Sequence, residues 1–384
     1  MAENTITGLI PDFYEALDIV SRELTGMIPS VTMNASAEGA GIDQDITVNV
    51  EPAGNVSDIT PAMAIPEPTE QTSGTTKIAI TKSRAAEFGF IGDDQKKLNS
   101  GIGYGNVRAN KVAQAIRAVT NEVEADLCGL HTTFSRAVGT AGKTPFGTAN
   151  DYTDASNTLK VLKDNGAPLG DNQLVINTTA GVNLLGKQAA VNSAGTDSIL
   201  RQGVLLDING MPIRESSQIA TSTKGTASGA KTNTTGYAVG VTEITLGSVG
   251  TGTIVAGDVI TFAGDANQYV VATGDADVSG GGTITLAAPG LRKAIGTSAT
   301  AITLVANAER NMAFNRSAIV LAARAPAIPE EGDMAADATT ITDPRSGLSM
   351  RFAMYKGYGK VRYEVGLAWG VKNIKPEHTA LLLG

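Results

Sequence analysis

Between Asn106 and Phe134 the chain places Val112, Ile116, Val119, Val123, Leu127, Leu130 and Phe134 three or four residues apart. That spacing gives a helix a single apolar stripe, and a stripe this long must lie against a core along one side. Its other side carries Lys111, Gln114, Arg117, Glu122, Glu124 and Asp126, a balanced mixture that reads as a solvated face. The chain has 384 residues, 42% of them hydrophobic. At roughly 100 to 200 residues per domain it predicts two or three packed domains, not a disordered tail. The one cysteine, Cys128, lies inside this helix, so the protein must hold together without an internal disulfide.

On the N-terminal side of the helix two textures follow one another. From Pro11 to about Met27, Phe13, Leu17, Val20 and Leu24 recur at helical spacing with acidic residues between them, which predicts a short amphipathic helix with Pro11 in its first turn. Beyond Pro29 the residues become small and polar, and the alternating runs IDQDITVNV and TTKIAITKS flank Pro52, Pro61, Pro66 and Pro68. This predicts a two-stranded excursion with a proline-stiffened middle. An isolated ribbon is marginal in water, so it is expected to rest on something else, a neighbouring subunit being the candidate.

After the helix the pattern is mixed. ASNTLKVLKDN predicts a helix, QLVINT a buried strand, the residues near Leu184 a second helix, and GVLLDING a strand. TSTKGTASGAKTNTTG, starting at Thr221, is poor in bulky residues and reads as a flexible link. From Tyr237 to about Ala306 the alternations VTEITL, DVITF, QYVVAT, TITL and AITLVA recur at roughly ten-residue intervals between Gly, Asp and Ser turns, the pattern of a small all-β barrel or sandwich. Mixed structure then resumes with FNRSAIVLAARA, SGLSMRFAMYKGY and KVRYEVGLAWGVKNI. The β unit is therefore expected to be inserted into a domain that begins before it and ends after it.

No catalytic set emerges. The two histidines, His131 and His378, stand far apart, with no HExxH or GxSxG pattern and no acid at an orienting spacing. One cysteine and two distant histidines do not make a usual zinc set. Asp258, Asp265, Asp275 and Asp277 form no EF-hand loop and read as turn residues. GIGYG, from Gly101 to Gly105, fits neither GxGxxG nor GxxxxGK and reads as a turn into the long helix. The reading is of a chain with no catalytic residue, no metal and no cofactor. A net charge of −8 and 4% aromatic residues argue against gripping a nucleic acid backbone. The opening MAENTITGLIPDFYEALDIV lacks the basic start and unbroken apolar run of a secretory signal, and nowhere do about 20 apolar residues follow one another. A soluble protein made in the cytoplasm, without membrane contact, is expected.

The order of elements, together with GDVITFAG (Gly257 to Gly264), GTITLAAPGLRKAI (Gly282 to Ile295), DPRSGLSMRFAMYKGY (Asp343 to Tyr358) and LAWGVKNIKPE (Leu367 to Glu377), resembles a known family. It is similar to the major coat proteins of tailed bacteriophages with the Hong Kong 97 fold, specifically those of short-tailed enteric phages whose coat carries an inserted β-barrel. The resemblance implies an α+β capsid fold with a long spine helix, an extended β-hairpin loop and an inserted small all-β barrel. It divides the chain into an N-terminal arm with a short helix (1–40), the extended loop (41–82), a peripheral domain with the spine helix (83–151), the first part of an axial domain (152–221), the inserted barrel (222–306), and the axial and peripheral return with the C-terminal strand (307–384).

Its implied function is self-assembly into an icosahedral head, so that the partners are other copies of the chain in hexamers and pentamers, a portal protein, and double-stranded DNA enclosed without specific binding. No long charged coiled-coil segment precedes the first helix, which makes a separate scaffolding protein the expectation. The residues expected to meet a neighbouring subunit are Phe13, Leu17, Pro52, Pro61, Pro66, Lys77 and Arg84. Residues Ser222 to Val241 are short and poor in charge, unlike the long loop by which the family's insertion can reach another capsomer. The alternative assemblies are a tail tube or a bacterial compartment shell.

Overall fold

The computed structural model describes residues 25–50, 58–59, 61, 63, 74–99, 103–148, 151–188, 205, 207–344 and 346–384. The segment predicted as an N-terminal helix lies outside these residues apart from its last three. Of those, Thr25 and Gly26 are not helical, and Met27 forms a bend before a single 3-10 turn at Ile28–Ser30.

The fold is mixed α and β. One sheet contains β1 (Thr32–Ala40), β4 (Lys82–Ile91), β15 (Ile319–Pro326), β16 (Asp337–Thr342), β17 (Ser349–Gly357) and β18 (Lys360–Asn373). β18 is its keystone, pairing antiparallel with β4 over ten residues, with β17 and with β15. The helix that opened the sequence reading, α2 (Tyr104–Gly129), lies against β4 and β18. It buries Val112, Ile116, Val119, Val123 and Leu127 in a core shared with Phe352, Tyr363 and Trp369. Just ahead of it come α1 (Gly92–Asn99) and Gly103, whose φ of 94° is one that favours glycine.

A second sheet is built around β19 (Thr379–Leu383), buried along its whole length between β5 (Arg136–Gly139), to which it runs parallel, and β14 (Ala308–Asn315). β14 continues the sheet to β6 (Asn172–Ile176), which pairs parallel with β7 (Ile213–Glu215). Two helices, α3 (Thr153–Asp164) and α4 (Thr178–Gln188), supply Ala155, Val161, Leu162, Ala180 and Leu184 to the core under this sheet.

Residues 225 to 305 form a ring of strands. β10 (Val259–Phe262) pairs with β11 (Gln268–Thr273) and with β13 (Ile302–Leu304), β11 with β12 (Gly282–Leu286), and β12 with β9 (Glu243–Leu246). Residues 230–233 close it. On one side Gly247 donates to the Lys231 carbonyl and Asn233 to that of Thr245. On the other, Thr232 donates to Thr300 and Ile302 to Ala230. Ile244, Ile260, Phe262, Tyr269, Val271, Ile284 and Leu291 fill the centre. The ring is also joined to the second sheet, because β11 pairs with β5 through Gln268 and Tyr269 while Val270 turns into the main core.

Four expectations need correction. The supposed flexible link from Thr221 is an ordered part of the structure: β8 (Thr221–Ser222) pairs with β14, Gly225 donates to the Asp258 carboxylate at 3.0 Å, and residues 230–233 close the ring. Its small residues serve close approach, since a Cβ on Gly225 would lie 2.3 Å from the Thr253 carbonyl. The polar side of α2 is not simply solvated. Glu124 is fully buried, and its two oxygens accept the backbone amides of Met27 (2.7 Å) and Ile28 (3.0 Å). The α-helix ends at Gly129 instead of Phe134, passing into a 3-10 turn at Leu130–Thr133 where Thr133 Oγ1 donates to the Leu130 carbonyl. Of GVLLDING, the described residues 205 and 207–210 form no strand. Ile208 makes one bridge to Met211 across a turn.

Candidate functional site

Among the described residues, β2 (Asp45–Val50) and β3 (Gly74–Ala79) form a ribbon, a two-stranded sheet of its own paired from Asp45–Ala79 out to Val50–Gly74. Its alternation decides which face is held. Ile46, Val48, Ile78 and Ile80 pack onto Ala40, Val320, Ala322 and Ala368 of the first sheet. Glycine at 370 permits this approach, because a Cβ there would fall 2.0 Å from the Ala79 carbonyl. Lys372 Nζ donates to the Lys77 carbonyl at 2.8 Å, and Thr81 N donates to that of Trp369 at 3.0 Å. Thr47, Asn49, Thr75 and Lys77 occupy the opposite face, exposed.

Of the residues expected to meet a neighbour, Phe13, Leu17, Pro52 and Pro66 lie outside the described residues. Pro61 is exposed and in no regular element. Lys77 stands on the open face of the ribbon, in a 3.0 Å ion pair with Asp45. Arg84 is on β4 instead, where its Nε lies 3.1 Å from Glu122 of α2. The two basic residues thus serve separate pairs. Beside Arg84, Lys82 Nζ bridges Glu122 (3.2 Å) and Asp126 (2.8 Å), while Trp369 Nε1 donates to Asp126 at 2.8 Å. The hydrogen bond to Asp126 raises the Lys82 ammonium above its usual value. This network fixes α2 on β4 and β18.

Sequence reasoning passed over two residues of the segment joining the ribbon's strands. Ile59 and Met63 are fully exposed large apolar side chains. The signal was available: an isoleucine and a methionine flank Pro61 in a stretch otherwise read only for its prolines.

The candidates for chemistry are placed in structural roles. His131 Nδ1 lies 3.1 Å from the Cys128 carbonyl, and burial lowers the imidazole below its ordinary range. Burial lowers His378 as well, and pushes the Cys128 thiol up to about 12, so that sulfur is no nucleophile at neutral pH. Asp265 accepts from Asn267 N and from the Tyr269 hydroxyl, Asp275 from Asp277 N, and Asp277 from Ser279, each as a turn residue does. Asp258 is buried and accepts the amides of Gly225 and Val255. Among the described residues no three His, Cys, Asp or Glu side chains converge as metal ligands, and no helix is long and apolar enough to cross a membrane.

No family model and no curated protein matches the chain. Among solved structures it is similar to the capsid of the Cyanophage P-SCSP1u, at 11% identity over 95% of this chain and 89% of that one, with a TM-score of 0.46. The mature capsid of bacteriophage PhiM1 is similar at 12% identity, 95% and 87% coverage and a TM-score of 0.45. A virus-like particle from Pyrococcus furiosus is similar at 8% identity, 98% coverage of both chains and a TM-score of 0.43.

Proposed function

We propose that this chain is a shell subunit, the major capsid protein of a tailed bacteriophage of the Hong Kong 97 type. In that reading the β2–β3 ribbon is the extended loop, α2 the spine helix, and the ring of residues 225–305 the inserted barrel. The observation that carries the proposal is the ribbon. One face is held by four aliphatic side chains, the other is exposed at Thr47, Asn49, Thr75 and Lys77, and Ile59 and Met63 of the intervening segment are exposed. A pair of strands in that state is marginal by itself, and in this reading Ile59 and Met63 are offered to a neighbour. A second copy of the chain is the occupant that repeats this contact around a closed point group. DNA is enclosed by the shell without being gripped, a separate scaffolding protein directs closure, and a portal protein occupies one vertex.

Electron microscopy of the full chain, expressed with and without the phage's other head proteins, tests this. Closed icosahedral particles are expected. Tubes, or a subunit that stays monomeric under every condition, would overturn the reading, and uniform particles from the chain alone would remove the scaffolding protein. Deleting Pro52 to Thr69 should leave a folded subunit that forms no shells; normal shells from that variant would refute the role given to the ribbon.

A further inference from the structure

One charged side chain is buried without a hydrogen-bond partner. Arg310 lies on the face of β14 shared with Ala308, Met312 and Phe314, all members of the main apolar core, and is itself only 2% exposed. None of its three guanidinium nitrogens has a hydrogen-bond partner. A guanidinium stays protonated in proteins and offers five N–H donors, so leaving it unpaired in an apolar setting is costly. The nearby groups that could answer it are otherwise engaged. The Asp258 carboxylate is near enough for its charge to favour the guanidinium, but it makes no ion pair with it and accepts the amides of Gly225 and Val255 instead. Cys128 holds a neutral thiol, and no ion pair to Arg310 exists among the described residues.

Arg310 borders a cavity of about 180 Å³ that is also lined by Cys128, His131, Gln218, Thr221 and Ser222. Thr221 is exposed and Ser222 half-buried, so the cavity reaches solvent on their side. With Nδ1 of His131 turned to the Cys128 carbonyl, Nε2 is the ring nitrogen left to act on a ligand. Burial disfavours the charged form of this imidazole, and the positive field of Arg310 adds to it. An anion between the two would reverse that.

We propose that this cavity is a built site for one small oxyanion, a phosphate- or carboxylate-type group gripped by the Arg310 fork with His131 as a second donor. A planar fork of donors suits two oxygens of such a group, and charge-assisted bonds of this kind are the strong ones. Binding is a property of the folded chain, so the site stands or falls independently of shell assembly.

Calorimetric titration of the full chain with inorganic phosphate, and separately with acetate, at constant ionic strength in chloride tests the proposal. Saturable binding of at least one anion is expected, with a matching rise in Tm. Phosphate alone would assign a tetrahedral oxyanion, acetate alone a carboxylate. Arg310→Met should weaken binding at least about tenfold, a loss within reach of one charge-assisted contact, and should flatten the rise in Tm. His131→Gln, which leaves the cation in place, should weaken binding less and keep the chloride Tm, and it serves as the test if Arg310→Met does not fold. No saturable binding of either anion to the native chain, or phosphate binding undiminished in both variants, would overturn the site.

Discussion

Two excursions leave the frame of this protein, and they meet the same problem in opposite ways. The ring of residues 225–305 has enough strands to close on itself and to bury fifteen side chains of its own among the described residues, Tyr269, Ile284 and Leu291 among them. The ribbon has two strands, an unpaired edge on each, and a single held face that contributes Ile78 and Ile80 to a cluster of six buried residues supplied mainly by the sheet below. Closure removes edges, whereas a two-stranded ribbon keeps both. One excursion is therefore stable as part of its own subunit. The other leaves one face exposed. Under the proposed function, the ring does not need to bridge subunits in order to exist, and the ribbon is the element proposed to take part in assembly.

The largest effect is expected in the ring. Ile284 is fully buried, so Ile284→Ala should cost about 2–5 kcal/mol through lost transfer energy and the cavity left behind. Val48 in the ribbon is only half-buried, and Val48→Ala should cost distinctly less. Calorimetric unfolding of both variants checks the contrast. Equal losses would mean that the ribbon has as much internal support as the ring, and the comparison would break.

An intermediate effect belongs to the hinge between ribbon and frame. Gly370→Ala places a Cβ against the Ala79 carbonyl, where backbone has to shift. The expected cost is about 1–3 kcal/mol, as for other overpacked positions. Hydrogen exchange should speed up at residues 45–50 and 74–80 while β9 to β13 keep their protection. Faster exchange spread evenly over the molecule would show that the ribbon is not a separately held element.

How much of this was legible beforehand depended on whether the signal was local. The stripe from Val112 to Leu127 marked α2, since a helical period needs only its own residues. The alternation in DITVNV and TTKIA likewise foreshadowed β2 and β3, and the repeated runs from VTEITL to AITLVA gave the strands of the ring. What stayed hidden was set by distant partners. Glu124 looked like one more solvated carboxylate until the amides of Met27 and Ile28, about a hundred positions earlier, capped it. The segment from Thr221 looked flexible because Gly, Ser and Thr are common in linkers, yet the same small residues allow strands to approach closely. Arg310 falls between the runs AITLVA and FNRSAIVLAARA, and nothing in its local pattern announces that its charge is buried.

The smallest effect on stability gives the sharpest test of what the ribbon is for. Thr47 is exposed on the open face, directly across from Lys77. Thr47→Glu adds a carboxylate beside an ammonium and removes no buried contact, so unfolding of the isolated subunit should change by no more than about 0.5 kcal/mol. If a neighbouring copy covers that face, the new charge must be taken out of water each time two subunits meet, and burying it with only Lys77, already paired with Asp45, to answer it is expensive. The yield of closed particles should then collapse although the subunit is unchanged. Placing the same charge at Thr273, exposed at the end of β11, should spare both stability and particles. Normal particles from Thr47→Glu would mean that the open face of the ribbon stays open in the assembly, and the contact would have to lie in the segment carrying Ile59 and Met63.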